Sequence, residues 1–156
     1  MQKLDAIDRE LLQLLQADAK TTHKELAAKL GLTISPIFER VKRLEKAGII
    51  RQYTALIDRR KSGLELLAFC NVSLKEHARP FLLRFESEIL QFPEVQECHH
   101  IAGPYDYLLK VVVADLKAYQ HFISEKLAGL ENIGQVMSAL VMKEIKNTPQ
   151  VSLPKV

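Results

Sequence analysis

Apolar side chains recur at helical spacing three times in the first fifty residues. From Asp5 to Ala17, Ile7, Leu11, Leu14 and Leu15 share one face, and Asp5 suits the N-cap because its carboxylate accepts the unpaired amides of a first turn. From Thr22 to Leu30, Thr22 and Glu25 have the spacing of a capping box, Leu26, Ala27 and Leu30 form the stripe, and Gly31 ends it. A third helix follows after a very short turn. The pattern puts Ser35 at its cap and Pro36 in its first turn, where a missing N–H is harmless. Ile37, Val41 and Leu44 face the core and Gly48 stops the helix. Residues 49–57 read as a short hairpin or an extended segment.

The pattern changes near Lys61. Residues 64–74 alternate as a strand, with Leu66, Ala68, Cys70, Val72 and Leu74 on one face. Residues 78–92 return to helical spacing (Leu82, Phe85, Ile89, Phe92), and Pro93 breaks them. Strands follow at 95–102 and 106–114, joined by a turn at Gly103-Pro104. Asp115 caps a helix to about Leu127 with Leu116, Tyr119, Ile123 and Leu127 as its stripe, and a last strand spans 133–145. The order β-α-β-β-α-β is a split βαβ, ferredoxin-like module. The fold class is therefore α+β: an N-terminal helix-turn-helix, residues 1–60, in which a hairpin at 49–57 would serve as a wing, and a C-terminal ferredoxin-like domain, residues 61–156. The stretch 58–63 is the natural linker, and the tail from Asn147 is expected to be extended.

Two helices joined by a short turn containing glycine, the second capped, make a helix-turn-helix, whose second helix lies in the major groove. Subtracting Ile37, Val41 and Leu44 leaves Ser35, Glu39, Arg40, Lys42, Arg43 and Lys46 outward. Ser35, Pro36, Glu39 and Arg40 lie nearest the turn, where base edges are read, with Thr33 just before them. Lys42, Arg43 and Lys46 suit phosphates. His23 and Lys24 open the second helix, where backbone amides attract an anion. Glu39 either accepts from a cytosine amine or holds Arg43 one turn on. The alternative is a three-helix bundle with a merely solvated charged face. Charge distribution favours the first reading. Net charge is only +3, yet residues 20–60 carry ten basic and four acidic side chains.

In the second half, the strand at 106–114 is apolar on both faces, and two helices cover only one. A second copy of the same sheet is the expected cover, giving an isologous dimer. The loop Ala102-Gly103-Pro104-Tyr105-Asp106 sets an acid beside backbone N–H groups. That combination suits a zwitterion; the plainer reading is an aspartate that caps a tight turn. Cys98 and His100 share a side of their strand but lack metal-ligand spacing, and no nucleophile elbow or phosphate-binding loop is present, so no metal, cofactor or enzyme activity is expected. The 156 residues are 47% hydrophobic and 26% charged, enough for a packed core. The apolar run 107–114 is far short of the ~20 residues of a membrane span. The first ten residues are acidic with no apolar core, unlike an export signal, so a cytoplasmic protein with reduced Cys70 and Cys98 is expected. The competing reading is a metal- or metabolite-sensing ferredoxin-like protein whose head mediates protein contacts.

Several stretches taken together, Leu4-Asp5-Ala6-Ile7-Asp8, Gly31-Leu32-Thr33 with 39–45, Gly48-Ile49-Ile50, 53–55, 103–110 and 141–146, resemble the Lrp/AsnC (feast/famine) transcription regulators over nearly the whole chain. The resemblance implies a winged helix-turn-helix and a ligand-binding body called the RAM domain. It implies dimers paired through their sheets that assemble to tetramers or octamers, and an amino-acid effector bound between dimers. It places the effector loop at Ala102, Gly103, Pro104, Tyr105 and Asp106. Ser138 matches a position where members often carry a hydroxyl. Ile34 stands where members often have proline and Ile37 where they often have cysteine. Pro104 replaces a commonly acidic residue and Met137 lies beside Ser138, so an apolar amino acid, or no effector of the usual kind, is expected.

Overall fold

A computed structural model describes residues 3–154. Contacts divide the chain into two units: residues up to Leu56 together with those from Lys146 on, and residues Ile57 to Ile145.

The first unit holds α1 (Ala6–Ala17), α2 (His23–Leu30) and α3 (Ile34–Lys46). Reciprocal capping boxes open the first two: Asp5 with Asp8, and Thr22 with Glu25. Gly31 turns the chain at φ 67°, which costs glycine no Cβ clash. Leu11, Leu26, Ile37 and Leu44 meet in a core closed by Leu12, Ala27 and Val41. The cap of α3 differs from expectation. Thr33, not Ser35, is the N-cap, and its hydroxyl bonds to no amide. The reason lies three residues on: Pro36 has no N–H for a cap to satisfy. Residues 49–57 form no hairpin: 49 and 50 lie in a bend and 51–57 pair with no strand, so no paired wing is present among the described residues.

What fixes α3 against α1 is a charged cluster. Asp8 is 1% exposed. Its Oδ1 accepts from Arg40 Nη1 at 2.7 Å and from Arg43 Nη2 at 2.5 Å, and Arg40 Nη1 also donates to Asp5 Oδ2 at 2.6 Å. Hydrogen bonding from the Asp8 amide, then from Arg40, holds the Asp5 carboxyl below the usual aspartate range.

The tail from Lys146 on groups by its contacts with this first unit, whereas 61–156 was expected to form one domain. Its anchor is an amide side chain acting like a strand neighbour. Gln16 accepts from the Val151 amide at 2.8 Å and donates to the Val151 carbonyl at 3.1 Å. Gln150 returns a bond to the Gln16 carbonyl, Arg9 donates to the Pro154 carbonyl, and Leu153 packs on the core.

The second unit is an antiparallel sheet of β1 (Leu66–Leu74), β2 (Val95–His100), β3 (Tyr107–Val113) and β4 (Ile133–Leu140) in the order β2-β3-β1-β4. It carries α4 (Arg79–Ile89), α5 (Leu116–His121) and a π-helical turn, Phe122–Leu127, that continues α5. One sheet face, with Ala68, Cys70, Val72, Leu109 and Val111, packs against Phe85, Ile89, Tyr119, Phe122 and Leu127. Of the expected stripe, Tyr119 and Leu127 are buried and Ile123 packs against the core; Phe122 joins them fully buried, and Leu116, ahead of the π turn, is 51% exposed. The last strand ends at Leu140 rather than 145; Met142 and Ile145 are exposed.

The opposite sheet face is less bare than its apolar pattern implies. Leu67 and Val112, cross-strand partners, are already buried, and Lys110 interrupts the face with an ion pair to Glu97 at 2.8 Å. Phe69, Leu108 and Met137 are half-buried or exposed on it.

Two outcomes follow from the cluster at Asp8. Replacing both arginines (Arg40→Met with Arg43→Met) strands a buried carboxylate and is expected to cost about 3–5 kcal/mol of stability. Asp8→Ala frees guanidiniums that reach water and should cost less; urea unfolding of both variants checks the order. In acid, the Asp5 contribution is fully present above an unfolded-state value near ~4 and is lost as pH falls through its lowered folded value. Melting followed by circular dichroism at descending pH should show that loss, and Asp5→Asn should flatten it.

Candidate functional site

The outward face of α3 is polar and mainly cationic. Ser35, Glu39, Lys42, Arg43 and Lys46 are exposed along it, with Thr33 and Pro36 at its start. Lys24 is exposed and His23 half-buried at the start of α2. Two expectations are redrawn by the contacts. Arg40 has only 23% of its side chain exposed and its guanidinium is committed to Asp5 and Asp8. Arg43 pairs with Asp8, not with Glu39, and among the described residues Glu39 makes no ion pair, so its carboxylate is open. Tyr53 donates to Glu45 Oε1 at 2.8 Å; burial and that carboxylate push the phenol up to about 12.

Phe38 is missing from the residue set that the charge pattern selects. It is 45% exposed on the flank of this face, with Ile34 one turn before it at 51%. The His23 ring meets it edge-on at 5.6 Å, and Lys42 Nζ lies 5.7 Å from its ring centre. Selecting the outward face by polar and charged side chains passes over an apolar one, so the residue pattern alone did not separate Phe38 from the core.

In the second unit the β2–β3 loop is a tight turn fixed from within. The Ile101 amide donates to the Asp106 carbonyl, and the Asp106 amide to the Val72 carbonyl. The Asp106 carboxylate accepts the Leu74 amide at 2.7 Å, and His77 Nε2 lies 3.0 Å from it. Gly103 has φ 152°, a region that side chains with a Cβ rarely enter. Among the described residues, the amides of Ala102, Gly103 and Tyr105 donate to no protein acceptor. Tyr105 reaches Met137 on β4, its hydroxyl 3.3 Å from the sulfur. Ser138 points the other way: its Oγ accepts from Tyr119 at 2.6 Å, beside the Cys70 thiol. So the structure brings Ala102–Asp106 and Met137 together and leaves Ser138 on the other face of β4. His77 was unforeseen, since its partner is 29 residues away and no local pattern connects them.

The cysteines are poor ligands. Burial pushes the Cys98 thiol up to about 11 and raises that of Cys70. His100 stacks on Tyr107 at 4.8 Å and His99 pairs with Glu97. Among the described residues no group of three His, Cys, Asp or Glu side chains is placed to hold a metal.

Comparison with known proteins joins the two sites. Residues 4–51 match the winged helix-turn-helix DNA-binding model and residues 67–151 the Lrp/AsnC ligand binding domain. The leucine-responsive regulatory protein of Rhizobium meliloti is 37% identical over 151 residues, covering 97% of each chain. Its namesake from Klebsiella pneumoniae is 38% identical over 145 residues, 93% of this chain and 88% of that one. Among solved structures, the transcriptional regulator NMB0573 from Neisseria meningitidis, in complex with L-Met, superposes with a TM-score of 0.91 at 38% identity over 97% of each chain. An AsnC family regulator from Agrobacterium tumefaciens gives 0.90 at 36% identity over 95% of this chain and 96% of that one. A helix-turn-helix bearing an open cationic helix, carried by a ferredoxin-like domain of this type, is a DNA-binding regulator and not an enzyme: the chain belongs to the Lrp/AsnC family of transcriptional regulators.

Proposed function

We propose that α3 lies in the major groove of operator DNA, with Ser35, Pro36 and Glu39 at base edges and Lys42, Arg43 and Lys46 on phosphates. Thr33, His23 and Lys24 meet the backbone beside them. Arg40 serves this surface indirectly, by holding α3 against α1. The observation that carries the proposal is the exposed cationic face of α3, opposite its buried stripe of Ile37, Val41 and Leu44.

The loop 102–106 is the proposed effector site. Its three unpaired amides offer a nest for a carboxylate, and Tyr105 with Met137 offers an apolar wall. An apolar amino acid fits that combination, and the L-Met complex of NMB0573 supports it. Asp106 acts by anchoring the loop to the Leu74 amide and His77. Ser138 lies on the other face of β4 with its hydroxyl bonded to Tyr119, so it stands outside this site within one chain. The half-exposed Phe69, Leu108 and Met137 support pairing of two sheets into a dimer, which gives two heads for two half-sites. Assembly of dimers, with the effector between them, then links ligand to promoter occupancy. A coupling of about 1–3 kcal/mol suffices for a 5–150-fold change in affinity. The working compartment is the cytoplasm, where the DNA is.

Lys42→Ala and Lys46→Ala should each weaken binding to any duplex and lower the salt slope of log affinity by about one, measured by fluorescence anisotropy. Unchanged slopes in both would remove α3 from the interface. Asp106→Ala should abolish L-Met binding in titration calorimetry while leaving DNA affinity without ligand unchanged, and Asp106→Asn, which still accepts the Leu74 amide, should keep a measurable part of it. Loss of the folded circular dichroism signal in Asp106→Ala would instead assign the residue to stability.

A further inference from the structure

Phe38 has no place in the charge-based reading of α3, yet its setting is specific. It precedes Lys42 and follows Ile34 by one helical turn each, so the three line a strip along the border between the buried stripe and the outer face. Ile34 and Phe38 are each about half exposed, and both sit in the first half of the helix, the half nearest the turn. The ring is braced by the edge of His23 and flanked by the Lys42 ammonium. Its inner side borders a cleft of about 450 Å³ shared with Leu26, Val41 and Tyr53, so it does not fill the core. A braced, half-wet phenyl beside a cation adds nothing to phosphate binding and has no hydrogen bond to offer a base. In the major groove one base edge alone presents an apolar group, the 5-methyl of thymine.

We propose that Phe38 is a specificity-determining residue that packs on a thymine 5-methyl group, with Lys42 held by the same ring for the adjoining phosphate. This rests on the placement of α3 in the groove and adds a chemical identity to one base position. Ile34 extends the same apolar surface toward the turn.

The test removes the methyl and nothing else. Full-length protein selects duplexes from a random-sequence library, and each thymine of an enriched duplex is replaced in turn by deoxyuridine. Wild type should lose about fourfold in affinity at one position or two, the value of one desolvated methyl. Phe38→Ala should show no loss there, binding both duplexes as wild type binds the deoxyuridine form, and Phe38→Leu should retain most of the discrimination. An enriched duplex on which no deoxyuridine weakens wild type overturns the inference, and this arm needs no variant to fold. So does a Phe38→Ala protein that keeps the full penalty. A library that enriches no sequence would instead overturn the groove placement of α3, and this inference with it.

Discussion

The buried carboxylate of Asp8 is the constraint on which the head depends. A charge that is 1% exposed survives only if it is paired and hydrogen-bonded, and here both requirements are met by side chains of α3. The same residue completes the cap of α1 through its other oxygen. One aspartate therefore starts the first helix and orients the third. Apolar packing alone would let α3 roll about its buried stripe; two arginines reaching one carboxylate fix its rotation, and with it which side chains face outward. Of the basic side chains on α3, Arg40 thus holds the helix, while Lys42 and Lys46 make no ion pair among the described residues.

The body uses a related device on a smaller scale. Asp106 closes the β2–β3 loop by accepting an amide from the end of β1 and meeting His77. Its carboxylate is thereby spent on the fold, which leaves the loop's open amides and the wall made by Tyr105 and Met137 as the groups free for the proposed effector. An acid at a binding loop need not be the group that touches ligand. In both units a carboxylate acts one step behind the functional surface and sets its shape.

The apolar second face of the sheet is also tempered by tertiary contacts. Two of its residues are already covered, and a lysine paired to glutamate crosses it. What remains is a mixed surface on which Phe69, Leu108 and Met137 stay partly or largely exposed.

Much of this architecture is local and therefore legible in the residues. The three head helices, the cap at Asp5, the capping box at Thr22, the turn at Gly31 and the alternation of β1 and β3 all arise from interactions within a few positions, and the polar outward side chains of α3 other than Arg40 follow by subtraction. The face reversal between Met137 and Ser138 is equally implicit in strand geometry. Partners far apart in the chain obey no such rule. Whether Arg40 meets DNA or Asp8, whether Arg43 turns to Glu39 or to α1, that His77 holds Asp106 and that the last residues return to Gln16 were decided when distant segments packed. So was the full burial of Phe122 beside the α5 stripe. Periodicity records which face a residue occupies; which of several equally charged neighbours it pairs with depends on distances that exist only after the chain has folded.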